Sequence, residues 1–207
     1  MAKRNEASRR SILDATQRLL AQDDMTVQKL SIEAIAREAG AGKTTIYRWW
    51  PSKAAVVIDA FMANHLVHTP VRTDVPVREA LESHLESLIG QYAGQPGRLV
   101  SQILAECQYD SETRQMFLDR FFLNRYQTIV DLVQRGIDNG ELPADADAEL
   151  LSEMMYAPVY QRLLFAHRPL RPELARRLVG QAFDLVKPAT ASRARSRAKR
   201  NAATVAT

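Results

Sequence analysis

Apolar residues return every three or four positions along most of this chain, and that spacing leaves few folds open. An α-helix turns once in about 3.6 residues, so such a stripe marks one helix face. Ser11–Leu20 sets Ile12, Leu13, Thr16, Leu19 and Leu20 together. A second helix opens at Ser31, carries Ile32, Ile35, Ala36 and Ala39, and stops at Gly40, a residue suited to a left-handed C-terminal cap. A third runs from Lys43 to Trp50 and is halted by Pro51. Ser52 can cap a fourth, striped with Val56, Val57, Ala60, Phe61 and Met62. The loop 69–76, with Pro70 and Pro76, marks a boundary. Five further helices are predicted at 77–93, 97–109, 111–139, 147–167 and 172–187, with Pro158 expected to kink the fourth of these. From the fourth helix of the chain onward nothing alternates like a strand. The expected fold class is all-α, with about nine helices.

Composition narrows the function classes. With 46% hydrophobic and 25% charged residues in 207, the chain suits a globular protein. A single cysteine, Cys107, excludes a disulfide framework and a cysteine zinc cage, and a buried inert thiol is expected. The longest apolar run, Ala54–Ile58, is far short of the ~20 residues of a membrane span. No apolar signal core follows the basic N-terminus, so a cytoplasmic location is expected. Charge is unevenly spread. Residues 1–53 hold 10 basic and 6 acidic side chains, 54–187 hold 13 and 18, and 188–207 hold 5 and none. A basic head on an acidic body points to a polyanion partner for the head. Lys3, Arg4, Arg9 and Arg10 read either as phosphate or minor-groove contacts or as a solvated end. The tail's Arg193, Arg195, Arg197, Lys199 and Arg200 add nonspecific DNA affinity or only solubility, in a segment expected to be disordered.

The segment Leu30–Lys53 has the physical requirements of a helix-turn-helix. Ala36 is small where two helices cross, Gly40 suits the tight turn, and Ile46 closes a little core with Ile32 and Ile35. Glu33 and Arg37, four apart, read as a solvated pair. The second helix opens Gly42-Lys43-Thr44-Thr45, small and polar as a major-groove probe requires. Lys43 can reach a guanine or a phosphate, and Thr44 and Thr45 offer hydroxyls or methyls to bases. Tyr47 and Lys53 read as phosphate clamps, and Ser31 as a cap that also meets a phosphate.

Ile35-Ala36-Arg37-Glu38-Ala39-Gly40 followed by Thr45-Ile46-Tyr47-Arg48-Trp49-Trp50-Pro51-Ser52-Lys53 resembles the DNA-binding domain of the tetracycline-repressor (TetR) family, over about residues 8–68. The resemblance implies a homodimeric, all-helical transcription regulator, most often a repressor released from a double-stranded DNA operator by a small ligand. It places Ser31, Lys43, Thr44, Thr45, Tyr47, Arg48, Trp49 and Lys53 in the DNA-binding set. The family usually has Tyr-Phe or His-Phe where this chain has Trp49-Trp50; Trp50 is then the buried member and Trp49 offers its indole N–H to a phosphate. Gly140–Asp147 with Tyr156-Ala157-Pro158-Val159-Tyr160 resembles one actinobacterial-type branch of TetR C-terminal domains, which implies that helices 111–139 and 147–167 form the dimer interface. The implied organisation is a basic flexible N-terminus (1–8), a three-helix helix-turn-helix DNA-binding domain (9–68, motif about 31–50), a helical ligand-binding and dimerisation domain (69–187) and a basic disordered tail (188–207).

Tyr92, Phe117, Phe121, Tyr126, Met155 and Tyr156, with Tyr160, crowd the predicted inner faces of the second domain, either as plain core or as the walls of a cavity. A largely apolar or aromatic effector fits such walls. Arg120, Arg125, Arg162 and Glu106 are candidates for orienting a polar ligand. A ligand there would move the fourth helix and change the spacing of the two recognition helices. A packed body with no cavity would instead suit a ligand-independent regulator of global or nucleoid type, and an extra exposed apolar patch a protein scaffold. Catalysis is not expected: Gly40-Ala41-Gly42-Lys43-Thr44 lacks the spacing and preceding strand of a phosphate-binding loop. Neither a cofactor nor a metal is expected, since His65 and His68 make half a site at most and Asp59 is not at ligand spacing.

Overall fold

The computed structural model describes residues 2–186, so the basic tail expected at 188–207 lies outside the described residues. Helices account for the described secondary structure: α1 (Ala2–Leu20), α2 (Ile32–Ala39), α3 (Lys43–Trp49), α4 (Lys53–His68), α5 (Val77–Tyr92), α6 (Gln95–Tyr109), α7 (Ser111–Phe117), a π turn (Leu118–Phe122), α8 (Leu123–Asp138), α9 (Ala148–Phe165) and α10 (Leu174–Val186). α7, the π turn and α8 run end to end as the rod expected at 111–139. Residues 2–8, expected as a flexible lead, continue α1 instead. Ala, Lys, Arg and Glu there are good helix formers with no breaker among them.

Local chemistry sets the boundaries. Ser31 Oγ accepts the Ala34 N–H at 3.1 Å, and Ser52 Oγ the Ala55 N–H at 3.2 Å. Asp147 caps α9 by accepting from Leu150 N–H at 3.0 Å. Gly40 ends α2 at φ 61°, the left-handed region, and the Ala41 N–H closes on the Ala36 carbonyl at 2.9 Å. α9 continues through Pro158 to Phe165.

The π turn was not expected, and its cause is visible in the spacing. Phe117, Phe121, Ile129 and Val133 are all buried, with Arg125 half-buried between them, each four residues from the next. Steps of four overshoot an α-helical turn by about 40° each. One wider turn absorbs the drift and keeps the row facing inward.

α4 is the spine. Ala55, Val56, Val57 and Ile58 are fully buried in succession, so the helix is covered on more than one side. α1 packs on it from the head, and α5, α6, α7 and the π turn from the body. Head and body therefore share one apolar core through α4. α10 closes the far side of α5 with Leu174, Val179 and Phe183. Cys107 is buried on α6, where burial pushes its thiol up. Among the described residues no helix is long and apolar enough to cross a membrane.

Candidate functional site

The head is a compact trihelical unit. Ile12, Ile35 and Ile46 are fully buried where α1, α2 and α3 meet, and Trp50 seals them at 1% exposure. The outer face of α3 carries Lys43, Thr44, Tyr47 and Arg48, all exposed, with Thr45 half-buried. Tyr47 is 52% exposed despite its size, which frees its hydroxyl for a partner outside the chain. Lys43 Nζ meets Glu33 at 3.0 Å, and this ion pair replaces the one expected between Glu33 and Arg37. The turn at Gly40 folds Lys43 back over α2, so a contact ten residues away wins over a local one.

Two members of the expected DNA-binding set sit differently from their reading. Lys53 Nζ donates to the carbonyls of Val27 at 2.7 Å and Gln28 at 3.2 Å, bracing the loop before α2. The Trp49 ring is half-buried under the Arg48 guanidinium at 5.8 Å, and its Nε1 is buried without a partner among the described residues. As placed, the Trp49 N–H is shut off from solvent. Ser31 Oγ accepts its cap bond, and its hydroxyl also lies within hydrogen-bond reach of the Glu33 carboxylate.

Behind the head lies a junction that sequence reasoning missed. Asp59, on α4, accepts the Trp50 Nε1–H at 2.8 Å and a bond from Arg120 Nη1 at 3.0 Å. Arg9 stands over the Trp50 ring at 5.9 Å and reaches Asp59 at 3.6 Å, so it belongs to this junction and not to a free phosphate-seeking arm. Asp59 thus ties the residue that seals the recognition helix to the π turn. Arg120, expected to orient a ligand, serves this tie instead.

Immediately past Arg120, Phe121 and Phe122 enter the wall of a cavity of about 440 Å³ among α4, α5, the π turn, α8 and α9. Of the residues expected to line a pocket, Tyr92, Phe121, Tyr126 and Tyr156 do so, together with Tyr160. Phe117 and Met155 do not: at 2% and 1% exposure they pack into the core beside it, on the inner sides of their helices. Arg162 reaches instead to the Pro169 carbonyl at 3.2 Å, and Glu106 borders a separate crevice beside Lys53 and Thr113.

The polar groups of the cavity come from separate helices. His84 Nδ1 lies 3.1 Å from the Pro70 carbonyl, which can only accept, so Nδ1 carries the proton and Nε2 faces Arg125 at 3.5 Å. Arg125 Nη2 donates to Thr69 O at 2.7 Å and Thr69 Oγ1 at 3.2 Å. His65 stacks on Phe61 and Tyr92, with centroids at 4.9 and 5.5 Å. Burial first, and the Arg125 charge second, lower both histidines to about 4. Burial pushes the Tyr92 and Tyr156 hydroxyls well above their ordinary value. Tyr92 and Tyr160 hydroxyls meet at 3.5 Å, whereas the Tyr156 hydroxyl and His65 Nδ1 are buried without partners among the described residues. Of this cluster only Arg125 was singled out in the sequence as an anchor. The signal for the others was a histidine inside each of two otherwise apolar stripes.

Comparison with known proteins gives the same division of the chain. Residues 12–60 match the family model described as bacterial regulatory proteins, tetR family. Residues 75–182 match the model described as tetracyclin repressor-like, C-terminal domain. A Bacillus subtilis (strain 168) protein, the uncharacterized HTH-type transcriptional regulator YdeS, is 28% identical over 91% of this chain and 94% of its own. The crystal structure of the TetR family transcription regulator SCO0332 matches with a TM-score of 0.72 at 26% identity, covering 87% of this chain and 99% of that one. FadR from Bacillus subtilis, solved in complex with stearoyl-CoA, shares the fold with a TM-score of 0.66 at 17% identity, over 84% and 96% of the two chains.

Proposed function

Because the chain belongs to the tetracycline-repressor family of helix-turn-helix transcriptional regulators, we propose that it acts as a repressor whose grip on DNA is released by a small molecule in its body. Two copies bind a pseudo-palindromic operator, each placing α3 in a major groove, with centres about 34–36 Å apart. Thr44, Thr45 and Lys43 read bases, while Tyr47 and Ser31 fix the register on phosphates. Residues 9–68 form the reading domain and 69–187 the regulatory and dimerisation domain.

The observation that carries this reading is the Asp59 junction. One carboxylate holds both Trp50, behind the recognition helix, and Arg120, one residue before the cavity wall. A ligand that shifts Phe121 and Phe122 therefore acts on the same element that seats the head. Its effect on DNA binding is limited by its differential affinity for the two arrangements. The cavity favours this reading over a ligand-independent regulator with a packed body. FadR, a neighbour of this fold bound to stearoyl-CoA, supports small-molecule binding by bodies of this shape. Support for the dimer comes from Leu123 on α8 and Leu150, Met154, Leu164 and Phe165 on α9, apolar side chains left exposed on the single chain.

Fluorescence anisotropy with a duplex selected by the protein tests the reading. Tyr47→Phe combined with Lys43→Ala weakens binding across a salt series, and Met154→Glu with Leu164→Glu yields a monomer with weakened operator binding. Unchanged binding by the first pair, or full operator affinity in a monomeric second pair, overturns it.

A further inference from the structure

We infer that the cavity takes an organic monoanion, an apolar or aromatic body ending in a carboxylate that is held at Arg125. The inference rests on the reading of this cavity as the effector site and specifies the charge and orientation of what enters.

The inner end of the cavity is electrostatically incomplete. The Arg125 guanidinium is half-buried, and its bonds go to neutral groups: the Thr69 carbonyl at 2.7 Å, the Thr69 hydroxyl at 3.2 Å and His84 Nε2 at 3.5 Å. No carboxylate pairs with it among the described residues. Both nearby histidines are held neutral, so they add no second cation and no anion. A desolvated cation without a counter-charge is costly, and the simplest remedy is an anion. A second unsatisfied group points the same way. The Tyr156 hydroxyl is buried without a partner among the described residues, on a ring whose centroid is 6.0 Å from that of His84. A phenol with no acceptor among the described residues is a free donor for an oxyanion.

The acid that lines the cavity lies elsewhere. Glu153 is exposed and accepts from the Tyr126 hydroxyl at 3.4 Å, at the solvent side between α8 and α9. The cavity is therefore positive within and negative at its rim. A carboxylate gains at Arg125 and is repelled at Glu153, which sets one direction of entry: head inward, apolar body against the aromatic walls. An amine meets the reverse field. An alcohol leaves the Arg125 charge uncompensated.

Isothermal titration of the full chain with two matched series tests this: phenylbutyrate, phenylbutanol and phenylbutylamine, then decanoate, decanol and decylamine. In at least one series the acid binds about tenfold or more tightly than its alcohol and its amine. Arg125→Gln brings acid and alcohol together, while Arg125→Lys keeps the preference. Tyr156→Phe, which leaves the Thr69 brace intact, weakens the acid more than the alcohol and covers the case in which Arg125→Gln does not fold. Equal or tighter binding of alcohol or amine in both series overturns the inference, as does binding of neither acid, or a preference for the acid that survives Arg125→Gln. The same probes are added to the protein on its selected duplex. Acid that binds at Arg125 without releasing DNA sinks the effector reading and leaves the anion site standing; release by alcohol or amine alone does the opposite.

Discussion

The head and the body solve opposite packing problems on either side of one helix. The head is solid: Ile12, Ile35, Ile46 and Trp50 fill it with apolar side chains, and its charges stand outside, where DNA is met. The body is hollow, and its interior keeps a guanidinium, two histidines and a phenol without a partner among the described residues. The contrast teaches where each function can reside. A reading surface needs a rigid scaffold with exposed chemistry, whereas a binding cavity needs buried chemistry left unsatisfied until something enters.

Measurements of stability should separate the two regions. Trp50→Ala in the head is expected to cost the most, about 3–5 kcal/mol, since it leaves a large hole in a tight core. Urea unfolding checks this, and the half-buried Phe122→Ala on the cavity wall should cost distinctly less. A smaller Trp50 loss would show that the head is not the packed partner.

Acid should act on the body. His65 and His84 have folded values lowered to about 4 from an ordinary 6.5. Above pH 6.5 neither state gains a proton there. Below it the unfolded chain binds protons that the folded chain refuses, so stability falls until about pH 4, by up to on the order of 3 kcal/mol per histidine. Chemical denaturation of His65→Phe, which keeps the ring stack, should show a shallower acid slope between those limits; an unchanged slope would deny the buried histidines their part.

At the border, Asp59→Asn is expected to cost about 2 kcal/mol, because it weakens charged hydrogen bonds at a side chain only 16% exposed. It should also blunt the response of operator binding to any probe that fills the cavity. Smallest is Tyr156→Phe, which removes a hydroxyl without a partner among the described residues and should shift thermal unfolding by the equivalent of about 0.5 kcal/mol or less. A large loss would mean that the hydroxyl has a partner within the protein.

The legibility of the sequence follows the same division. The head was readable because its rules are local: Ser31 three residues before the N–H it accepts, Gly40 at a left-handed turn, and isoleucines at helical spacing. Helix 111–139 was readable as one rod, but its π turn was hidden in a row of four-residue steps. Glu33 was assigned to Arg37 because an i, i+4 neighbour is the only partner that spacing offers; the turn supplied Lys43 instead. Asp59, which holds Trp50, meets Arg120 across 61 residues, and the cavity gathers His65, His84 and Arg125 from three helices. No period encodes such meetings. Phe117 and Met155 resemble the lining aromatics in type, and only the rotation of their helices turned them into core.

The most direct measurement is selection of bound duplexes from a random DNA pool by the full chain. The account predicts one enriched, two-fold symmetric site whose half-sites lie about one helical turn or a multiple apart. An unenriched pool, or a single asymmetric half-site bound by one copy, would contradict it.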